Sequence, residues 1–324
     1  MVRPFKKDIN FLGKRRIFFI VSALLVVIAI AALPVRVVNF GSVLNFGIDF
    51  VGGSSINFTS TAEVTTEQMR DAFESQGIDS PIVQTTTAAD GTAGFIVRIQ
   101  TTDAAIASSI ADDVVSALSL DENSAEVTTI GPGWGEEVTR TSLIAFAVAL
   151  ALIIIYIAIR FEFKMGVVAI IALIHDILII VGVYAILGRE VTPNVVAALL
   201  TIMGYSLYDT VVVFHRINDN ASTASNHSFI TVANHSINQV FIRTMNTTLT
   251  SLVPVLAMLF FGGETLRDFA FAMSIGLVLG AYSSIGIASP LYALWKQREP
   301  KFKKLFQKYG EGIGTFTAAE NLQD

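Results

Sequence analysis

The chain has 324 residues, 52% of them hydrophobic and only 15% charged, where soluble domains carry about a quarter charged residues. That balance excludes an ordinary water-soluble globular protein and points to a chain that crosses a membrane several times. Cysteine is absent, which removes disulfides, thiolate metal sites and cysteine nucleophiles, and the net charge of −5 hides two signs segregated along the sequence.

Six windows are apolar and long enough for a hydrocarbon core of ~30 Å, which takes about 20 helical residues. In chain order they cover 16–34, 141–159, 166–187, 194–214, 246–262 and 268–290. The first follows "KRR" after a short N-terminus, residues 1–15. Its apolar run exceeds the roughly 7–15 residues of a signal-peptide core, so it reads as an uncleaved anchor. The fifth contains Pro254, which membrane helices tolerate when neighbouring helices satisfy the freed backbone groups. An even number of spans puts both termini on one side. The segments on that side hold 16 of the 22 basic residues, so the positive-inside rule makes both termini cytoplasmic.

Residues 35–140 then form an insert on the opposite side, with 15 acidic residues, four arginines and no lysine. Strand-like runs at Val43–Ile48 and Ser55–Thr59 flank the turn "GIDFVGG". "TTEQMRDAFESQG" has a helical period, with Met69, Ala72 and Phe73 on one face and Gly77 beyond its end. A hairpin follows, "PIVQTTT" and "GFIVRIQ" joined by "AADG", then a second helix in "DAAIASSIADDVVSALSL" and a closing strand in "SAEVTTIGPG". Strand–helix–hairpin–helix–strand is the split βαβ, ferredoxin-like order. The fold class expected is therefore an all-α six-span bundle, residues 16–34 and 141–290, with an inserted extracytoplasmic α+β domain at 35–140. "GPGWGEE" reads as a bend, or a plain linker, between insert and membrane. A cytoplasmic loop at 215–245 is polar in its first half, while Ile230, Ala233, Ile237, Val240 and Phe241 in its second half line one helical face. That face suits a helix on the membrane surface or packed beneath the spans. Residues 291–324 form a cytoplasmic tail.

The residues that could carry chemistry are ionisable groups inside the spans, because a charge at mid-bilayer costs about 2.5–3.5 kcal/mol even on the lenient insertion scale. His175 and Asp176 interrupt the third span, and Asp209 lies in "GYSLYDTVVVF" in the fourth. Asp209 reads as a protonatable site on an ion path. Asp176 and His175 are adjacent, and neighbouring helical positions do not share a face. Arg216 and Arg243 bracket the cytoplasmic loop and can reach a carboxylate or snorkel to headgroups. Glu162 and Glu190 lie at span ends, where solvation suffices. There is no nucleotide-binding loop, no His-Glu-x-x-His zinc site and no Ser/His/Asp set, so no enzymatic chemistry is expected.

Five stretches together resemble one family. They are "FGIDFVGGSSINF" (46–58), "GPGWGEEV" (131–138), "HDILIIVGVYA" (175–185), "GYSLYDTVVVFHRI" (204–217) and "RTMNTTLTSLVPVLAMLFFGGETLRDFAFAMSIGLVLGAYSSIGIASPL" (243–291). The chain resembles SecF, the membrane subunit that works with SecD in bacterial protein export, within the resistance-nodulation-division superfamily. The resemblance implies a multi-pass protein of the bacterial plasma membrane, partnered by SecD, the Sec translocation channel, unfolded secretory polypeptides and the lipid bilayer, with no nucleic acid. It implies no cofactor beyond a proton or sodium gradient that drives late-stage export. The family's coupling carboxylate falls on Asp209, its arginine on Arg243, which becomes the expected partner of Asp209, and its "HD" pair on His175 and Asp176. Two positions depart from the family pattern: Tyr208 stands where Asn is expected and His215 where Asp is frequent. A small-molecule exporter of the same superfamily and a non-transporting translocon scaffold are the alternatives.

Overall fold

The computed structural model describes residues 8–59, 64–78, 81–87, 93–121, 123–223 and 226–312. The "AADG" turn, the first seven residues and the end of the tail fall wholly or mostly outside them. Six helices are long and apolar enough to cross a membrane. They are α1 (Arg15–Phe40), α5 (Pro132–Arg160), α6 (Phe163–Leu187), α7 (Pro193–Thr223), α8 (Phe229–Phe261) and α9 (Glu264–Ser283). The last continues through a π-helical segment, Ser284–Ala288, into α10 (Ser289–Lys296). The apolar windows located the spans but not their ends, because polar turns of helix extend past the hydrophobic stretch on either side.

Between α1 and α5 the chain forms β1 (Asn45–Phe46), α2 (Ile48–Val51), β2 (Gly53–Thr59), α3 (Thr66–Ser75), β3 (Ile82–Thr87), β4 (Ala93–Ile99), α4 (Ala104–Ala117) and β5 (Ala125–Ile130). Four strands make one antiparallel sheet in the order β3-β4-β2-β5. Thr65 and Gln68 close α3 with a reciprocal capping box, and Asp103 caps α4 through the backbone N–H groups of Ala105 and Ile106. Met69, Ala72 and Phe73 from α3 and Ala107, Ile110, Ala111 and Val114 from α4 cover the sheet residues Ile56, Phe58, Phe95 and Val97. The strand expected over Val43–Ile48 is only two residues long. At Ile48 the backbone turns helical, and β1 pairs in parallel with β6 (Glu190–Val191), in the turn between α6 and α7.

"GPGWGEE" is not a bend. Pro132 occupies the first turn of α5, where its missing N–H has no helical partner to lose, and the helix runs unbroken to Arg160. A Cβ on Gly135 would lie 2.7 Å from the Phe50 carbonyl oxygen, so only glycine allows this turn to pack on α2.

On the side of the bundle where the N-terminal residues lie, the expected 215–245 loop is mostly helix. α7 runs to Thr223, α8 starts at Phe229, and the amphipathic stretch is the first part of α8 itself. It is buried on every side from Phe229 to Ile237, because residues 8–12 lie across it. Asn234 Oδ1 accepts from the N–H groups of Phe11 (2.9 Å) and Leu12 (3.1 Å), and its Nδ2 donates to the Ile9 carbonyl (3.1 Å). Asn238 Oδ1 accepts from the Ile9 N–H at 2.7 Å, and buried Asp8 pairs with buried His235 at 2.6 Å. Part of the tail is also packed: Phe302, in α11 (Pro300–Tyr309), packs tilted against Phe229 with ring centroids 4.7 Å apart.

Asn234→Ala leaves two buried N–H groups without an acceptor, at about 1–3 kcal/mol each. We expect it to lower the thermal midpoint of the detergent-solubilised protein, followed by size-exclusion fluorescence, while Ala at exposed Asn218 leaves the midpoint unchanged.

Candidate functional site

α6, α7 and α9 form the centre of the bundle, and small residues set their spacing. Gly276 and Gly280 give α9 a flat face against α7, and a Cβ on Gly280 would lie 3.2 Å from Ser206 Cα. That approach brings hydroxyls to Asp176, which is completely buried. Its Oδ2 accepts from Ser206 Oγ and Ser283 Oγ, both at 2.7 Å, and its Oδ1 lies 2.9 Å from His175 Nδ1. Adjacent side chains leave a helix about 100° apart, yet the imidazole of His175 folds back onto the carboxylate beside it. The separate faces expected for this pair are thus corrected by side-chain reach. The ring also stacks on Tyr282, whose hydroxyl donates to the Phe18 carbonyl at 3.0 Å and lies 2.9 Å from Ser22 Oγ, which ties α1 to the cluster.

The polar cluster continues one turn along. Thr210 Oγ1 lies 2.8 Å from Ser284 Oγ, and both hydroxyls are buried. Ser284 opens the π-helical segment, whose wider winding gives two successive serines, Ser283 and Ser284, separate partners on α6 and α7. π-turns inside α-helices recur at functional sites. Sequence reading missed this half of the site. The available signal was "YSS" inside an otherwise apolar span, which hydropathy averages away.

Asp209 lies on the same helix three residues after Ser206 and is 3% exposed. It takes part in no hydrogen bond or ion pair within 4.0 Å among the described residues. The expected Asp209–Arg243 ion pair is therefore not formed here. Arg243 instead donates through Nη2 to the Tyr208 hydroxyl at 2.9 Å. Tyr208 thus holds the guanidinium on the residue next to Asp209. Arg216 points elsewhere, donating through Nε to Gln239, whose Nε2 lies 2.9 Å from His235 Nε2. His215 is exposed, 3.7 Å from Asp219. The structure thus gathers His175 and Asp176 in one cluster, sets Asp209, Tyr208 and Arg243 beside it, and leaves Arg216 and His215 outside both. Among the described residues no group of three His, Asp or Glu side chains could hold a metal ion.

At the opposite end of α6 and α7, Glu190 is more than a solvated span end. Arg98, only 5% exposed, reaches from β4 to Glu190 (Nη2 to Oε2, 3.3 Å) and donates through Nη1 to Asn45 Oδ1 (3.2 Å) and the Phe46 carbonyl (3.3 Å). Burial pushes the Glu190 carboxyl above its ordinary range, against the pull of Arg98, and burial lowers the Arg98 guanidinium. Next to the pair, Arg189 donates to Asp268 at 3.1 Å and lies over the Phe271 ring, joining the same turn to the start of α9.

Residues 110–298 match the family model described as protein export membrane protein SecD/SecF, C-terminal. The protein translocase subunit SecF of Streptomyces coelicolor is 36% identical over 97% of this chain and 85% of its own length. SecDF of Thermus thermophilus is 37% identical over 89% of this chain, which spans only 39% of that longer relative. The crystal structure of SecDF from the same genus, described as a translocon-associated membrane protein, superposes with a TM-score of 0.78 at 34% identity, covering 90% of this chain and 39% of that one. A SecDF structure in a super-membrane-facing form gives 0.63 at 34% identity, over 95% of this chain and 40% of the other. These relatives are named for transport, not for an enzymatic reaction.

Asp176→Ala removes the acceptor of two buried hydroxyls and of the imidazole, and should cost about 3 kcal/mol or more. Asp176→Asn keeps the shape and one acceptor oxygen and should cost less. Thermal midpoints in detergent check the order, which reverses if the carboxylate is not what holds the three helices.

Proposed function

The chain belongs to the SecD/SecF family of protein-export membrane proteins, and from that premise we propose that it is the SecF half of an ion-driven export unit completed by a SecD subunit. The observation that carries this reading is the pairing of a buried carboxylate without a hydrogen bond, Asp209, with an exposed arginine held on the next helix by Tyr208. Thr201, Gly204 and Tyr208 on α7, and Arg243, Asn246 and Thr250 on α8, follow the i, i+3, i+7 spacing of one helix face, and all six are exposed. A polar strip with an arginine is costly against lipid, so we assign it to the surface that the six spans of SecD cover. Fused relatives that carry both names in one chain support that partnership.

Asp209 is then the ion-binding group, for a proton or for sodium, and Arg243 alternates between the Tyr208 hydroxyl and the Asp209 carboxylate as the site empties and fills. Asp176 and His175, linked to the same helix through Ser206, form the second polar layer of the path. Moving one charge through 100 mV supplies roughly 2.3 kcal/mol, enough to shift a two-state balance by more than about tenfold. The charge bias along the chain supports cytoplasmic termini in the plasma membrane and an inserted domain outside, where it meets unfolded chains leaving the Sec channel. The strand order of that domain supports the ferredoxin-like, split βαβ reading.

The test is Asp209→Asn in vesicles carrying the SecD–SecF pair and the Sec channel. We expect gradient-driven ion flux and the gradient-dependent part of export both to fall to background, with assembly intact. Normal flux and export in that variant would overturn the reading. Normal export without any flux in the unaltered pair would favour a scaffold.

A further inference from the structure

Both covalent connections of the inserted domain run through α1 and α5, the two spans least buried in the bundle and free of buried carboxylates. The carboxylates Asp176 and Asp209 sit on α6 and α7, which meet the domain at the turn around Gly188–Val191. There the contact is built, not incidental. Asn45 and Phe46 pair in register with Glu190 and Val191, and the Gly47 N–H donates to the Val191 carbonyl at 3.0 Å. Asn45 Nδ2 and Gln84 Nε2 both donate to the Gly188 carbonyl, at 3.1 and 3.4 Å. Arg98 closes this contact from inside the sheet, where Ser55 and Ile82 flank it on the neighbouring strands, and its guanidinium joins Asn45, the Phe46 carbonyl and Glu190 at one point.

A guanidinium buried this deeply is costly unless it is paired and hydrogen-bonded. Through Nη1 it hydrogen-bonds β4 to β1, and through Nη2 it makes an ion pair with Glu190 in the α6–α7 turn, a link that no apolar residue at this position supplies. The turn is fastened on its other side by Arg189 and Thr192 to Asp268, and by the Tyr184 hydroxyl to the Asp268 carbonyl. A displacement of α6 or α7 therefore reaches the inserted domain through this turn, where Arg98 ties β4 to the same contact.

Resting on the ion-coupled reading above, we propose that Arg98 is a positioning residue for export: its clasp on Asn45 and Glu190 is the joint through which movement of the carboxylate-bearing helices reaches the inserted domain.

Arg98→Gln in the full-length chain, assembled with its partner subunit in vesicles, tests this. Gradient-driven ion flux should stay within about twofold of the unaltered complex while gradient-dependent export falls about tenfold, the scale of a lost coupling. A merely structural arginine would lower both together. The chain has no cysteine, so Phe46→Cys with Val191→Cys, added to Arg98→Gln, places one disulfide across the parallel pair of a chain otherwise free of cysteine. Oxidation should restore export and reduction should remove it again. Export unchanged in Arg98→Gln, or flux and export lost together with no rescue on oxidation, overturns the proposal. Absence of gradient-driven flux in the unaltered complex overturns the ion-coupled reading and this proposal with it.

Discussion

A carboxylate inside an apolar bundle is tolerated only where enough donors surround it, and Asp176 sets this condition for the whole membrane part. Its two oxygens are served by one imidazole and two serine hydroxyls that come from three helices. Those helices can reach it only because Gly276 and Gly280 let α9 lie against α7. The same three helices carry Asp209 and the turn that grips the inserted domain. Remove the donors and the buried carboxyl group has no partners; remove the carboxyl group and the hydroxyls have nothing to converge on. Lipid offers no hydrophobic force to hold helices together, so packing and such hydrogen bonds carry the association.

The two carboxylates illustrate opposite uses of the same side chain. Asp176 is enclosed by hydrogen bonds, whereas Asp209 is buried with none, although an arginine stands on the next helix. A saturated carboxylate resists change. An unsaturated one is free to take a proton, a cation or a guanidinium. Arg243 meanwhile donates to the Tyr208 hydroxyl, on the residue next to Asp209.

The spans, the sides on which charge collects, and the helices and hairpin of the inserted domain were legible in the sequence because each leaves a periodic or compositional trace. Met69, Ala72 and Phe73 advertise their shared face by spacing, and Asp209 advertises itself by cost. What stayed hidden was long-range. Nothing near Glu190 indicates that its partner lies 92 positions earlier in a strand, and Asn234 reads as a position off the apolar face of an amphipathic helix until residues 8–12 supply the backbone it satisfies. The spans also run further than hydropathy suggests: the helical turns at 132–140 and 215–223 are polar and look like connections, while Pro34 and Arg36 mask the continuation of α1 through 35–40. The motif "GPGWGEE" misled for a local reason: its glycines suggest flexibility, while Pro132 and the close packing of Gly135 on Phe50 make it a rigid helix start.

The π-helical segment at Ser284–Ala288 has a bearing on how this chain tolerates change in length. Each residue advances an α-helix by about 100°, so one extra residue accommodated as a wide turn sets the phase of everything that follows it. Tyr292 and Ala293, both fully buried in α10, owe their inward direction to that offset. Deleting one residue here would let the segment rewind as plain α-helix and keep every backbone hydrogen bond. The helix would look intact, yet α10 would present a different side to the bundle. In this span, reading frame along the helix axis matters more than the identity of any one apolar side chain.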